Sequence, residues 1–206
     1  QPQRVEHQST DKGSVPIYTT AVVEQPWEQY SATDHEVWRT LFCRQRELLK
    51  GRACREFIEC QQAMGIGEDK IPKFAEPDLF HDLFGHVPLL LNPVFADYMQ
   101  AYGKGGVKAH GIGPEALAQL TRLYWYTVEF GLIDTDEGLR IYGSGIVSSS
   151  GESHYSLESP APNRIGFDLL RVMRTRYRID TYQKTYFVID SFDELIAATR
   201  PDFVPY

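Results

Sequence analysis

Two histidines, His81 and His86, lie five positions apart in an otherwise apolar stretch at residues 77–91. Neutral imidazole is the commonest metal ligand in proteins because its ring nitrogen is a good donor near neutral pH. On an ideal α-helix, side chains five positions apart diverge by about 140°, so a regular helix would separate the two rings. The pattern predicts a short helix that carries His81 and ends at Gly85, with His86 on an irregular turn after it.

A carboxylate that fits the same chemistry is Glu129, in a stretch at residues 114–130 that has the pattern of one long helix. Glu129 shares a helix face with Trp125, one turn earlier. Its neighbours Val128 and Phe130 are apolar, so an inward-facing carboxylate is expected. A buried carboxylate requires a partner, and a metal ion is one way to supply it.

Two histidines and one carboxylate form the facial triad of non-haem iron(II) oxygenases, which leaves coordination positions open. A closed structural zinc site needs a fourth protein ligand, for which His110 or His154 is a candidate. The ligand set also allows a hydrolytic metal. Without any metal, His81 and His86 would be core histidines bonded to backbone carbonyls. The residues by themselves leave these alternatives open.

Composition limits the classes of protein to which the chain can belong. Its 206 residues suit one domain, and 42% of them are hydrophobic. The net charge of −7 argues against a nucleic-acid partner. Three cysteines, Cys43, Cys54 and Cys60, lack Cys-x-x-Cys spacing and are expected to be reduced thiols of a cytoplasmic protein. No apolar run reaches membrane-spanning length, so no membrane partner is expected.

Hydrophobic periodicity and capping signals predict a mainly α fold with a few short strands, of the α+β class. The first helix is expected to begin at a capping box of Thr33 and Glu36, to carry Val37 on its apolar face and to stop before Gly51. A second amphipathic helix, at residues 54–64, is expected to pack antiparallel to the first.

Further elements are predicted on both sides of the histidine stretch. Asn92 is expected to cap a helix that ends near Tyr102, followed by a flexible turn at residues 103–106. The remaining predictions are a flexible arm at 1–15, one domain at 16–206, an extended piece at 16–23, a loop at 65–77, a strand at 139–149, a helix at 165–177, a strand at 185–189, a last helix capped by Ser191 and an extended tail.

Three segments carry a resemblance to a known family. They are FHDLFGHVPLL at residues 80–90, LYWYTVEFGL at 123–132 and IYGSGIVSS at 141–149. These resemble the signature segments of the pterin-dependent aromatic amino acid hydroxylases, most closely the short bacterial phenylalanine 4-hydroxylase branch, and the likeness runs from about residue 15 to the C-terminus. The resemblance implies that family's catalytic-domain fold at residues 16–206. It also implies a monooxygenase that converts L-phenylalanine to L-tyrosine with O2, Fe(II) and a tetrahydropterin cosubstrate.

The resemblance also implies roles for individual residues. His81, His86 and Glu129 match the iron ligands. The other matches are Ser148, which supports the first histidine; Tyr124, near the pterin and the open iron positions; Asp82, on the pterin side; and Trp125, Phe130 and Gly145, in the substrate pocket. Without the resemblance, the hydroxyl of Ser148 would be expected to bind only backbone, and the two substrate-pocket aromatics would be ordinary core residues.

The chain departs from the family in one internal segment. Family members carry about fifty further residues between the positions that match Ala75 and Pro77, far more than an ordinary loop. That segment normally supplies a phenylalanine that stacks on the pterin and an arginine that binds the substrate carboxylate, and neither can be assigned here. We expect the natural chain to contain it. The regulatory and tetramerisation segments of the animal enzymes are also missing, so a monomer is expected.

Other functions remain open at this stage. The same chemistry acting on tryptophan or tyrosine is a close alternative, because pocket shape decides the substrate. A zinc hydrolase belongs to a different class and would not require O2. A third alternative is a non-catalytic ligand-binding module that keeps the fold, whose affinity should survive a change of His81 to alanine.

Overall fold

The computed structural model describes residues 30–64, 67–68 and 80–200, and within them the predicted mainly helical α+β fold is confirmed. The α-helices are α1 (Ala32–Leu48), α2 (Arg55–Ala63), α3 (Pro93–Ile112), α4 (Pro114–Tyr124), α5 (Ser144–Val147), α6 (Ser150–Glu158), α7 (Leu169–Arg174) and α8 (Phe192–Ala198). The described residues also form two π-helices, which are wider than an α-helix, and one 3₁₀ helix, which is narrower. They are the first π-helix (His81–His86), the 3₁₀ helix (Pro88–Leu91) and the second π-helix (Trp125–Glu129).

The described residues include a small mixed sheet of four strands. Its strands are β1 (Leu132–Thr135), β2 (Gly138–Ile141), β3 (Asn163–Gly166) and β4 (Thr185–Ile189), in the order β2-β1-β4-β3. β1 and β2 form an antiparallel hairpin, whereas β4 is parallel to both β1 and β3. β1 follows the second π-helix directly and β2 runs into α5, so this hairpin connects two of the segments that resemble the hydroxylase family.

Apolar side chains form two clusters on the helices and the sheet. The larger one contains Trp38 and Phe42 of α1 together with Phe84 of the first π-helix. Phe84 packs edge-on against Phe42, with ring centroids 5.5 Å apart. The smaller cluster joins α4 to α7 and β4, for example through Leu123 and Phe187. The first π-helix is therefore fixed to the core by its apolar residues, which leaves its polar residues free to face the site.

Several predicted signals are confirmed. Asn92 caps α3, because its Oδ1 accepts hydrogen bonds from the backbone N–H groups of Val94 and Phe95 at 3.0 and 3.1 Å. The strand at 185–189 is present with the predicted bounds. Ser191 caps α8 through the N–H of Glu194. The first helix ends before Gly51, which has a positive φ of 70°.

The start of α1 differs from the prediction. The capping box consists of Ser31 and Asp34, not Thr33 and Glu36: the hydroxyl of Ser31 accepts the N–H of Asp34, whose carboxylate accepts the N–H of Ser31. The helix thus begins two residues earlier than expected, and Val37 is 53% exposed. The expected pairing of α1 and α2 is also wrong, since α2 packs chiefly on the 3₁₀ helix.

The glycine-rich stretch at 103–106 is not a turn but part of α3, which continues to Ile112. None of these glycines has a positive φ. A Cβ built on Gly105 or Gly106 would lie 3.9 or 3.8 Å from the Leu120 side chain of α4, which is an ordinary van der Waals distance. The helix continues through the glycines despite a penalty of about 1 kcal/mol for each of them, because residues of α3 on both sides of them, such as Tyr98 and Ala109, pack in the core.

Two elements in the second half of the chain were also predicted wrongly. The expected strand at 139–149 ends at Ile141 as β2, and helix α5 follows, because the two strands of the hairpin pair only as far as Leu132 and Ile141. The expected helix at 165–177 is divided into β3 and the shorter α7, since β3 pairs with β4 as far as Gly166. The predictions for residues 1–15, 16–23 and the C-terminal tail, and most of the predicted loop at 65–77, lie outside the described residues.

No helix in the part of the chain that the structure describes combines the length and the apolar character needed to cross a bilayer.

Replacing Gly103 by alanine tests the assignment of this stretch to α3. The backbone is helical there, and an added Cβ meets no atom within 4 Å. Gly103→Ala should therefore raise the free energy of unfolding by about 0.5–1 kcal/mol. Gly113→Ala is the control and should lower it, because Gly113 has a φ of 146°. Urea unfolding monitored by circular dichroism measures both. A loss of stability in Gly103→Ala would mean that the helix is interrupted there.

Candidate metal centre

The first π-helix brings the two histidines together. A π-helix closes its hydrogen bonds between residues five apart, so such residues lie on one face. The N–H of Val87 donates to the carbonyl of Asp82 in this pattern, at 3.2 Å. The ring centroids of His81 and His86 are 4.7 Å apart, and their Nε2 atoms are separated by 3.1 Å. In an α-helix, two side chains five residues apart would point in different directions. In this π-helix, the side chains of His81 and His86 point towards each other.

Gly85 does not end the helix, as the sequence suggested, but lies inside it. A Cβ on Gly85 would stand 2.9 Å from the carbonyl oxygen of Ser144 at the start of α5. The small residue is needed for close approach between two segments of the site and not for termination.

The second π-helix aims the carboxylate at the histidines. The predicted helix at 114–130 is α-helical as far as Tyr124 and then widens, with the N–H of Phe130 donating to the carbonyl of Trp125 at 2.9 Å. Glu129 Oε1 lies 3.1 Å from His86 Nε2, and Glu129 Oε2 lies 3.5 Å from His81 Nε2. The Glu129 side chain is only 14% exposed, so the predicted inward orientation is found.

The separations among these three groups fit a common ion. Two ligand atoms that bind one metal at about 2.1 Å, in directions at right angles, lie about 3.0 Å apart. The two Nε2 atoms are 3.1 Å apart, and the nearest carboxylate oxygens of Glu129 lie 3.1 Å from His86 Nε2 (Oε1) and 3.5 Å from His81 Nε2 (Oε2). Two neutral nitrogens and one carboxylate oxygen are a donor set that suits iron and other first-row metals.

A second carboxylate lies near the same histidines. His81, Asp82 and His86 offer ligand atoms that are all within 4.8 Å of one another. Glu129 contacts both imidazoles, at 3.1 and 3.5 Å, so Glu129 is the candidate for the third ligand and Asp82 for a neighbouring role. His110 and His154 do not join the group, and His154 instead contacts Glu158 at 3.2 Å.

Ser148 determines which nitrogen of His81 carries the proton. Its hydroxyl donates its single proton to the carbonyl of Ser144 at 2.8 Å, so it can only accept from His81 Nδ1, which lies 2.8 Å away. His81 is then protonated at Nδ1, and the lone pair of Nε2 points towards the other two groups. A contact of this kind orients the imidazole, so the role of Ser148 in supporting the first histidine stays a prediction that the 2.8 Å contact favours.

Opposing effects act on the Glu129 carboxylate. Burial raises its pKa, whereas hydrogen bonds and charge interactions with His86 and His81 and a hydrogen bond from Ser144 lower it more, so that the net pKa lies below the usual glutamate range. The carboxylate is therefore ionised and available as a ligand at neutral pH. Sequence reasoning missed Ser144, for which the only signal was its position between two glycines.

Tyr124 and the predicted substrate-pocket residues surround this centre. The Tyr124 ring stacks at 6.3 Å on the His86 ring, and burial raises the pKa of its hydroxyl, so the phenol stays neutral. The Trp125 indole stacks on Tyr177 at 4.3 Å and lies 4.8 Å from the Phe130 ring. A Cβ on Gly145 would lie 2.9 Å from Phe130 and 3.2 Å from the Glu129 carboxylate. These residues form one wall beside the centre.

A cavity of about 480 Å³ opens at that wall, between Trp125, Phe130, Glu152 and the segment 179–183. A larger apolar cavity of about 540 Å³ lies between α3 and α4 and does not include the histidines. The cavity of about 480 Å³ is likewise not lined by the histidines or Glu129, but it includes Trp125 and Phe130, whose aromatic rings suit a flat apolar ligand.

A buried hydrogen-bond network supports this wall from behind. The Gln183 side chain accepts the indole N–H of Trp125 at 3.1 Å and donates to the carbonyl of Arg178 at 2.9 Å. The backbone N–H of Gln183 and the hydroxyl of Tyr186 both donate to Glu152 Oε1, at 3.1 and 2.6 Å. The network holds the indole in one orientation. The sequence carries no local signal for this network, because its residues come from three separate segments, at Trp125, at Glu152 and at 178–186.

Comparisons with known proteins agree with this geometry. The sequence profile of the family described as biopterin-dependent aromatic amino acid hydroxylase matches residues 70–202. A phenylalanine-4-hydroxylase of Ralstonia nicotianae is 52% identical over 234 positions, which cover 89% of this chain and 74% of the relative. The phenylalanine-4-hydroxylase of Chromobacterium violaceum is 51% identical over 232 positions, which cover 88% of this chain and 77% of the relative.

A solved structure shows the same fold. The crystal structure of Chromobacterium violaceum phenylalanine hydroxylase with bound oxidised Fe(III) has 50% sequence identity to this chain and a TM-score of 0.82. The match covers 88% of this chain and 84% of that one.

Glu152 gives the site's surroundings a testable pH dependence. Burial raises its pKa above the ordinary 4.5, although hydrogen bonds from Tyr186 and Gln183 oppose the rise. Its contribution to stability is therefore complete below the unfolded-state pKa and is lost as pH rises through the higher folded-state pKa. Glu152→Gln removes this titration, so the stability of the parent should fall relative to the variant between pH 4 and pH 8.

Urea midpoints across that range measure the difference. Glu137→Gln, at a side chain that is 83% exposed, is the control and should leave the pH profile unchanged. A parent whose stability rises relative to Glu152→Gln with increasing pH would contradict the direction of the shift.

Proposed function

The chain belongs to the biopterin-dependent aromatic amino acid hydroxylase family, and we propose that it is a phenylalanine 4-monooxygenase. In this reaction one oxygen atom of O2 enters the aromatic ring of L-phenylalanine to give L-tyrosine. The second oxygen atom is reduced with two electrons from a tetrahydropterin. Support comes from the family profile and from two bacterial relatives named phenylalanine-4-hydroxylase that are about half identical to the chain.

One observation carries the proposal: the close approach of His81 Nε2, His86 Nε2 and the Glu129 carboxylate, with separations of 3.1 to 3.5 Å. Three protein ligands on one side of an ion leave positions for O2 and water. A structural zinc site would instead be closed by a fourth ligand. The arrangement therefore favours an oxygen-activating centre over a structural one.

Iron(II), when bound by these three residues, supplies the activation of O2. The protein's part is to position and to exclude water. Ser148 keeps His81 in the tautomer that presents Nε2. Burial against Trp125 and Phe130 would place the substrate ring beside the centre, and Gly145 would leave the space that a larger residue would fill. Tyr124, whose ring stacks on that of His86, and Asp82, which follows His81 in the first π-helix, are proposed to face the pterin.

The chain differs from its relatives in an internal gap. The alignment with the Ralstonia protein is 234 positions long, whereas 89% of 206 residues is about 183, so about fifty positions face no residue of this chain. This agrees with the segment expected near residues 75–77. We propose that the pterin-stacking phenylalanine and the carboxylate-binding arginine belong to that segment, and their presence in the natural chain stays a prediction.

The assembly and compartment are proposed more briefly. A monomer stays the expectation from sequence. The cytoplasm is proposed because the three cysteines are free, and Cys54 and Cys60 are buried as thiols.

Turnover tests the activity directly. The chain should convert phenylalanine to tyrosine when supplied with Fe(II), a tetrahydropterin and air, with the product identified by chromatography. His81→Ala should abolish the product, and so should exclusion of O2. Product formed without O2 would favour a hydrolase. 5-Hydroxytryptophan from tryptophan, with no tyrosine from phenylalanine, would change the proposed substrate. Ligand affinity that survives His81→Ala without any turnover would favour a binding module.

The identity of the third ligand can be tested separately from turnover. Calorimetric titration with Co(II), a spectroscopically visible substitute for Fe(II), should show a loss of more than about 100-fold in Glu129→Gln. The matched variant Asp82→Asn should lose no more than about tenfold, as expected for a residue outside the ligand set. The reverse order would assign the carboxylate ligand to Asp82.

A further inference from the structure

Ser144 lies at the centre of the candidate metal site although the proposed reaction gives it no role. Its hydroxyl oxygen is 3.0 Å from Glu129 Oε2, 3.0 Å from the carbonyl oxygen of Val128 and 3.3 Å from His86 Nε2. The side chain is buried, with 2% exposure. A buried hydroxyl in contact with two of the three proposed ligands is placed to affect how they bind.

The close contact depends on the glycines on both sides of Ser144. A Cβ on Gly143 would lie 2.5 Å from the carbonyl oxygen of Glu129, and one on Gly145 would lie 3.2 Å from its carboxylate. Larger residues at either position would push the start of α5 away from the second π-helix. Because both are glycines, the Ser144 hydroxyl reaches the Glu129 carboxylate.

The single hydroxyl proton has three possible acceptors: the neutral carbonyl of Val128, the carboxylate of Glu129 and, in the tautomer that leaves it unprotonated, the more distant Nε2 of His86. Hydrogen bonds to an ionised acceptor are about twice as strong as those between neutral groups. The proton is therefore directed mainly to Glu129 Oε2.

Ser144 is also linked to the first histidine through its backbone. Its carbonyl oxygen accepts the hydroxyl of Ser148, which in turn accepts the Nδ1–H of His81. The same carbonyl packs against Gly85 inside the first π-helix. One residue thus connects His81 and Glu129, which are 48 positions apart in the sequence.

We propose that Ser144 is a positioning residue that binds Glu129 Oε2 and so makes Glu129 a one-oxygen ligand of the metal. With Oε2 engaged by the hydroxyl, Oε1 is the oxygen left to bind, on the side that faces His86. A carboxylate that binds through one oxygen occupies one coordination position, so a position that a two-oxygen carboxylate would fill stays available for O2. The inference rests on the proposed function, because it assumes that His81, His86 and Glu129 bind a metal.

Removing the hydroxyl tests the inference without relying on turnover. Ser144→Ala and Ser144→Gly should each weaken Co(II) binding by about 10–100-fold, as is typical when a group that orients a metal ligand is lost. The visible absorption of the bound Co(II) should shift in both variants, because a second carboxylate oxygen becomes free to bind. Thermal unfolding before and after addition of Co(II) checks that the variants fold.

Ser153→Ala is the matched control. Ser153 is a fully buried serine whose single hydroxyl proton is shared between the carbonyls of Ile146 and Ser149, at 2.7 and 2.8 Å, and no contact of its hydroxyl with the histidines or Glu129 is found among the described residues. Its loss should lower stability and leave Co(II) affinity and absorption unchanged. Ser144→Thr keeps the hydroxyl and should restore the parent spectrum if it folds.

The outcomes separate this inference from the proposed function. A loss of Co(II) affinity in Ser144→Ala at least about fivefold greater than in Ser153→Ala, with a changed spectrum, supports the positioning role. A smaller difference, or an unchanged spectrum, in variants that fold overturns it while the metal site stands. Failure of the parent chain to bind Co(II) or Fe(II) would remove the proposed function and this inference together.

Discussion

The structure depends on the mutual approach of three electron-pair donors in a largely buried position. Two imidazole nitrogens and a carboxylate lie within 3.5 Å of one another. The desolvation of the Glu129 carboxylate is unfavourable, and the attraction of the histidines and the hydrogen bond from Ser144 outweigh it. A cation at the meeting point would satisfy all three donors at once. The fold therefore brings the three groups together in an arrangement that a bound cation would stabilise further.

Two π-helices make this approach possible. They are uncommon elements that are found mainly at functional sites. The first π-helix places His81 and His86, five residues apart, on the same helix face. The second follows α4 and changes the direction of the Glu129 side chain so that it points towards the histidines. Each wide turn leaves the ordinary helical hydrogen-bond pattern. Core contacts such as Phe84 against Phe42, and the hairpin of β1 and β2 behind the second π-helix, hold these turns in place.

The three proposed metal ligands can be predicted from the sequence, whereas the two π-helices that bring them together cannot. The identities of His81, His86 and Glu129 follow from residue type, motif and family resemblance, and strand β4 and the caps at Asn92 and Ser191 follow from local signals. The π-helices carry no local signal, because their hydrogen-bond pattern is selected by tertiary packing. The same limit explains why the glycine-rich residues 103–106 were predicted as a turn, since the core packing of α3 residues on both sides of them, such as Tyr98 and Ala109, favours a continuous helix.

The contact of Ser144 with Glu129 could not be predicted from the sequence, for the same reason. A serine between two glycines is an ordinary turn pattern, and only the close packing of α5 on the second π-helix brings its hydroxyl to the carboxylate. The network of Glu152, Gln183 and Tyr186 behind Trp125 likewise joins segments that are distant in sequence. Catalytic side chains can be recognised by type, whereas the groups that orient them are recognised by contact.

The most direct test of the central claim is anomalous diffraction at the iron edge from crystals of the chain loaded with Fe(II) under anaerobic conditions. We expect one iron peak at about 2.0–2.3 Å from His81 Nε2, His86 Nε2 and a Glu129 carboxylate oxygen. A peak bound by Asp82 in place of Glu129, or located away from the histidines, would contradict it.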